Sequence, residues 1–237
     1  MKADADAIAL EQEPIEKKAP ATTSDKVWRE VVSWFWVILA FLVIEGTLVQ
    51  ARVIPSGSME PTVLIGDHLI VSRFGYDAGI PFTSWHVPLW REPKRQQIIV
   101  FRAPLPEEGY PDFIKRCIGL PGDTLEIKQG VVYVNGQALS EPYREDPPNP
   151  QENRGPYKVP PGQYFMMGDN RENSYDSRYW GFVPRDNIIG TPVLIYMSID
   201  APEDVWEPGH VGERFETYLR AVIHPSEIRW KRLFHLF

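Results

Sequence analysis

Apolar positions along the chain follow two different patterns. From Val31 to Ile44 (VVSWFWVILAFLVI) they run without a charge, and the apolar stretch extends past Glu45 to Val49. About 19 residues at 1.5 Å each cross most of a ~30 Å hydrocarbon core. The run is apolar on all sides and lacks the one-sided stripe of a helix lying on a soluble core. Trp28, Trp34 and Trp36 lie toward its N-terminal half, where indole rings favour the membrane interface. Val49-Gln50-Ala51 has the small-x-small look of a cleavage site, but a charged preamble of ~30 residues is too long for a cleaved leader. The pattern predicts a single transmembrane anchor over 27–50. Before it, residues 1–26 mix Asp, Glu, Lys, Ala and Pro with hardly any large apolar groups, which predicts a disordered tail. Lys26 and Arg29 precede the span and Arg52 follows it, a weak bias that puts the tail in the cytoplasm and residues 51–237 outside.

Beyond the anchor the apolar runs are short and broken by turn residues. Leu64–Phe74 predicts a turn at Gly66-Asp67 leading into a strand. Ile98–Phe101 and Phe113–Leu120 predict two more, the second stopped by Pro121-Gly122. Residues 124–141 predict a hairpin turning at Gly130, followed by a tight Asn135-Gly136 turn. Further strands are predicted at Gln163–Met167 and Ile188–Met197, with 142–162 as a proline-rich connection. Val211–Phe237 reads as partly helical, closing in a basic aromatic tail (228–234) suited to a membrane surface or to core packing. Residues 75–95 carry Trp85 and Trp90, which suit either the interface or a satellite hydrophobic cluster. The chain holds 23 prolines, roughly twice the usual share of about 5%, which favours short strands and turns: the fold class is mainly β. A formal net charge of −7 argues against a nucleic-acid partner. The single Cys117 excludes an intrachain disulfide and a cysteine-based metal site.

The stretch with most chemical promise is Ile54-Pro55-Ser56-Gly57-Ser58-Met59-Glu60-Pro61-Thr62. Pro55 and Pro61 favour extended backbone, and Pro61 pushes Glu60 away from helical geometry, so an extended or turning ribbon is expected. Gly57 lets another chain approach closely. The segment is either a plain turn or a presented nucleophile. A serine nucleophile needs a base. None of His68, His86, His210, His224 or His235 sits in a supporting motif, and neither the G-x-S-x-G elbow nor S-x-x-K is present, because Glu60 and Pro61 occupy the deciding positions. Lys115, in Asp112-Phe113-Ile114-Lys115-Arg116-Cys117-Ile118, has the most apolar setting of any lysine outside the tail. On an inward strand face, desolvation would lower its pKa, and the adjacent Arg116 would push the same way. Spacing alone favours the plainer reading, an amphipathic lysine on a sheet edge.

Taken together, PSGSMEPT (55–62) with the following IGDHLIV, FIKRCIGLPGD (113–123), GDNRENSYDSR (168–178) and the trailing YWGFVP resemble the type I signal peptidases. These are membrane-bound serine endopeptidases that remove signal peptides from exported proteins. The resemblance runs from the anchor to about residue 200 and is specific, because all four blocks match in order and spacing. It implies Ser58 as nucleophile and Lys115 as a general base acting as a neutral amine. Ser56 would join the Ser58 backbone N–H in an oxyanion hole, Ser174 would orient the lysine, and Asp176 with Arg178 would form a supporting ion pair. Asp169 and Arg171 would shape the same loop. Ile54, Pro55, Met59 and Ile114 would line two shallow substrate pockets selecting small-x-small sites. The implied fold is an antiparallel β-sheet catalytic domain (51–123 and 161–237) with a small inserted β region (124–160). No cofactor or metal is implied; the implied partners are signal-peptide-bearing exported proteins and membrane lipid, at the plasma (inner) membrane. The chain departs from the family at Gln96-Gln97, where Gly-Asp is usual after Arg95, at Arg52, where an aromatic is common, and in the shortness of the insert. Two other readings compete: a Ser-Lys self-cleaving peptidase and a non-catalytic membrane-anchored β scaffold.

Overall fold

The computed structural model describes residues 23–80, 83, 85–105, 112–207 and 209–237. The predicted tail lies outside the described residues as far as residue 22, and Thr23–Lys26 already belong to a helix. That helix, α1 (Thr23–Thr47), carries within Lys26–Thr47 an 18-residue window of mean hydropathy 1.9 that is wholly unburied, long and apolar enough to cross a membrane. It stops at Thr47, whose hydroxyl donates to the Val43 carbonyl at 2.7 Å. Val49 opens strand β1 (Val49–Val53), so the last residues assigned to the anchor are extended instead. The chain forms two compact units that divide between Ala40 and Phe41.

The second unit is built on antiparallel strands throughout. After β1 come β2 (Asp67–Ser72), β3 (Asp77–Gly79), β4 (His86–Pro88), β5 (Ile98–Phe101), β6 (Phe113–Gly119), β7 (Thr124–Lys128), β8 (Val131–Val134) and β9 (Gln137–Ala138). These are followed by β10 (Arg154–Lys158), β11 (Gln163–Met167), β12 (Val183–Pro184) and β13 (Ile188–Ser198). Short helix α2 (Ser177–Trp180) precedes β12, and α3 (Glu203–Trp206) and α4 (Val211–Ile223) follow β13. A seven-stranded sheet runs β1-β2-β13-β5-β6-β11-β12, and a four-stranded sheet within 124–158, the stretch expected as an insert, runs β10-β7-β8-β9. Alternation puts Ile98, Val100 and Ile114 in one core cluster with Ile54, Met59 and Leu69, and Ile99, Phe101 and Cys117 in another.

Local turn chemistry explains the insert. Gln129-Gly130 and Asn135-Gly136 all take positive φ, as two-residue hairpin turns demand. Strands also lie where none was expected. β10 contains Gly155-Pro156 and a register shift against β7, and proline on an edge strand hides the strand pattern. β3 and β4 pair within the aromatic stretch, where Trp85 and Trp90 stay exposed and Phe74 meets Trp90 edge-on at 5.9 Å. Gln96, where the resemblance implies glycine, sits at φ +65, a backbone conformation that glycine adopts most readily.

The C-terminal tail packs back on the sheet. Arg232 donates to the fully buried Asp67 at 2.6 Å and to the Thr62 carbonyl at 3.0 Å, and Arg229 donates to the Ile65 carbonyl at 2.7 Å. Trp230 and Phe234 remain exposed.

Candidate active site

The Ser56–Thr62 ribbon is not uniformly extended: Gly57–Met59 forms one 3₁₀ turn. It ends where Glu60, ahead of Pro61, takes φ −62 and ψ 142, the extended geometry that a following proline requires. Ser56 precedes the turn in extended conformation without a capping hydrogen bond from its side chain. The turn buries Gly57, Ser58 and Met59 and packs on β6.

Across 57 residues of sequence, Lys115 Nζ donates to Ser58 Oγ at 2.6 Å. Both side chains are almost completely buried, at 5% and 6% exposure. Burial lowers the Lys115 pKa to about 8 against the pull of Asp176 and Asp169, with Arg178 acting in the same direction as burial. Arg116 is not the cation responsible. Its side chain leaves on the opposite face of β6 and forks onto Asp169 at 2.8 and 2.5 Å. The Lys115 amine also stands 5.5 Å from the centre of the Phe113 ring.

The 168–178 loop closes over the pair. Gly168 is bare of necessity: a Cβ there would fall 2.3 Å from Ser174 Oγ and 2.5 Å from the Ser58 carbonyl oxygen. Asn170 secures the turn from above, its N–H donating to the Ser58 carbonyl at 3.2 Å and its amide to the Gly57 carbonyl at 3.3 Å. Asp176 is the hub of the loop. It accepts from Ser174 Oγ (2.8 Å), Gly168 N (3.0 Å) and Arg178 Nε (2.8 Å), and it caps α2 through Arg178 N at 3.2 Å. Arg178 continues to Glu152 at 2.9 Å and to the Arg171 carbonyl at 2.7 Å. Among the described residues no hydrogen bond joins Ser174 to Lys115; the serine donates to Asp176 instead.

Asp169 and Arg171 shape the loop through separate partners. Asp169 binds Arg116 and accepts from Thr62 Oγ1 at 2.6 Å, tying the loop to the strand beside Lys115 and to the segment after Ser58. Arg171 holds the Gly168 carbonyl at 3.0 Å and pairs with Glu141 of the insert. Arg116, Thr62 and Asn170 are thus part of the site although the sequence reading gave them no such place. Each does lie inside a quoted motif, which was the available signal. Ile54, Met59 and Ile114 share one core cluster, and Pro55 is half-buried. His68 is taken up elsewhere, its ring nitrogens on the Gly66 carbonyl (3.0 Å) and Tyr218 hydroxyl (2.7 Å), beside Trp206.

Over residues 27–197 the chain matches the family described as signal peptidase, peptidase S26. The chain belongs to that family. The peptidase is 47% identical over 166 residues to a probable signal peptidase I-2 of Synechocystis sp., covering 69% of each chain. It is 41% identical over 180 residues to a signal peptidase I of Leptolyngbya laminosa, covering 73% of this chain and 80% of the other. To the signal peptidase I of Pseudomonas aeruginosa it is 36% identical over 208 residues, 72% of each. Membership makes it a serine endopeptidase that cleaves signal peptides.

Proposed function

We propose that the peptidase works through a Ser58–Lys115 dyad on signal peptides of exported proteins, cutting after small-x-small sequences from a membrane-anchored position. The observation that carries this reading is the buried 2.6 Å contact between Lys115 Nζ and Ser58 Oγ. With the amine neutral, the hydroxyl gives its proton to Nζ as Oγ attacks the scissile carbonyl. The tetrahedral oxyanion then needs donors. Among the described residues neither the Ser58 N–H nor the Ser56 hydroxyl is engaged in a hydrogen bond, so both are available to it. The Lys115 ammonium returns its proton to the departing amine. A water deprotonated by the again neutral Lys115 amine then attacks the acyl–Ser58 ester, and Lys115 gives that proton to Ser58 Oγ as the acid product leaves. Asp176 and Arg178 fix Ser174 and the loop around the dyad.

Ile54, Met59 and Ile114 are buried apolar groups close to Ser58 and Lys115 in sequence, and shallow apolar pockets formed at their edge would read side-chain size by exclusion. An extended substrate sends alternate side chains to one face, so alanine or glycine is expected at the first position before the cut and small aliphatics at the third. Thr47 and Ser58 are eleven positions apart, at most ~40 Å of extended chain. A signal peptide held in the same bilayer is therefore at high effective concentration. The weak basic bias before the span favours a catalytic domain on the extracytoplasmic side.

The test is cleavage of a synthetic signal peptide by the detergent-purified chain. Ser58→Ala and Lys115→Met are each expected to lower kcat by about 10⁴-fold while circular dichroism stays unchanged. Activity of either folded variant within tenfold of the parent would remove the dyad. Cleavage of its own chain alone would favour a self-cleaving peptidase, and no cleavage of any peptide a scaffold.

A further inference from the structure

Where α1 gives way to β1, a polar cavity of about 200 Å³ is walled by Arg52, Arg73 and Arg102. Asp112 shares the wall and pairs with Arg52. Behind them the fully buried Asp77 accepts from Arg73 and, at 3.0 Å, from Arg102, and His86 Nδ1 stands 3.2 Å from its other oxygen. Three permanent cations thus face two carboxylates. A guanidinium carries five N–H donors, more than this acid set satisfies. Among the described residues, Nε of Arg52 and Nε of Arg73 are buried without a hydrogen-bond partner, and Arg73 is only 5% exposed. Asp77 Oδ1 is likewise buried and unpaired among the described residues, so the donors open to a ligand are the remaining N–H groups of Arg52 and Arg102, whose side chains are about a third exposed, and these call for a further acceptor. An anion supplies it, and a phosphate matches the forked guanidinium geometry.

The position of the cavity selects the kind of anion. Arg73 Nη1 donates to the Glu45 carbonyl at 3.2 Å and the Arg73 N–H to the Leu48 carbonyl at 2.8 Å, which sets the cavity against the last turn of α1. Ile80 and Trp85 also line it, both more than half exposed. Arginines for a headgroup beside an indole and an aliphatic group for the start of acyl chains form an amphiphilic site. The volume falls below the ~300–1,000 Å³ of pockets for drug-sized solutes and suits a headgroup. We propose that this cavity binds the phosphodiester headgroup of an anionic phospholipid. The lipid source rests on the reading of α1 as a membrane anchor; the anion chemistry does not.

The test titrates the full chain in non-ionic detergent with dihexanoyl-phosphatidylglycerol, dihexanoyl-phosphatidylcholine or glycerol phosphate, following heat of binding. Phosphatidylglycerol is expected to saturate one site at least tenfold more tightly than either of the others. Arg52→Gln and Arg102→Gln should each weaken it about tenfold, and Arg102→Lys should restore most of the loss. Peptide cleavage in lipid-free detergent by Arg102→Gln, at the parent rate, shows that the variant is folded. Equal binding of the two lipids, or parent-like binding by both glutamine variants, overturns the proposal. Glycerol phosphate binding as tightly as phosphatidylglycerol overturns the lipid source and makes this a soluble-phosphate site. Whether α1 anchors the chain is read separately, by carbonate extraction of membranes.

Discussion

Lys115 is held in two opposed ways: its burial disfavours the ammonium, while Asp176 and Asp169 favour it. Burial prevails, and holding the amine at about 8 instead of 10.5 costs the charged form about 3 kcal/mol. The proposed dyad needs the neutral amine, so kcat is expected to rise from pH 6 to 9 with an inflection near 8. The cost also appears in stability. Between about 8 and 10.5 the unfolded chain holds a proton that the folded chain has released, so stability rises with pH through that window. Below about 8 both states hold the proton and the penalty is fully present. Lys115→Met, isosteric and uncharged, should therefore be more stable than the parent at pH 7, by up to about 3 kcal/mol, and lose most of that advantage by pH 10. Urea unfolding at the two pH values measures this, and a less stable Lys115→Met at pH 7 would contradict the burial argument. Ser56 behaves differently. Its side chain makes no cap bond, so Ser56→Ala should leave the unfolding midpoint in place. If its hydroxyl serves the oxyanion, kcat falls about 10²–10³-fold with KM little changed. A drop in stability with kcat intact would instead make it a turn residue.

The decisive element is the 168–178 loop, which holds the Ser58 turn through Asn170 and the Lys115 strand through Asp169 and Arg116. Gly168 is the place where loop and turn touch. In Gly168→Ala the new methyl group meets Ser174 Oγ and the Ser58 carbonyl at distances no real Cβ tolerates, so one of the two must move. Overpacking of this kind costs roughly 1–3 kcal/mol, and here the atoms displaced belong to the site. Activity per folded molecule should fall at least a hundredfold, which is a displacement effect of the size misplaced reacting groups produce. Steady-state kinetics beside a thermal melt separates the two. Loss of stability at full specific activity would mean that the loop relaxes without disturbing Ser58.

On the scale of the whole molecule, the anchor and the β unit make one prediction together. Protease added outside spheroplasts should digest residues 51–237 and spare the N-terminal segment; protection of the large unit would reverse the proposed orientation. Much of this organisation was legible in the chain. The apolar run, the strand at Ile98–Phe101 and the hairpin turns at Gln129-Gly130 and Asn135-Gly136 follow from interactions between near neighbours: transfer to lipid, alternation, and positive φ. The motifs also marked Ser58 and Lys115 as the residues to bring together. Other features depended on partners far along the chain. The 2.6 Å contact spans 57 residues, Arg116 turns from Lys115 to Asp169 because strand alternation gives them opposite faces, and β10 forms despite its proline because β7 offers a partner. Arg232, 165 residues further along, reaches Asp67 in the strand after Ser58. Backbone preference and apolar period act over a few residues, so the sequence alone determined them. Desolvation of an amine and the pairing of buried charges exist only once distant segments exclude water together, and that the tertiary structure decided.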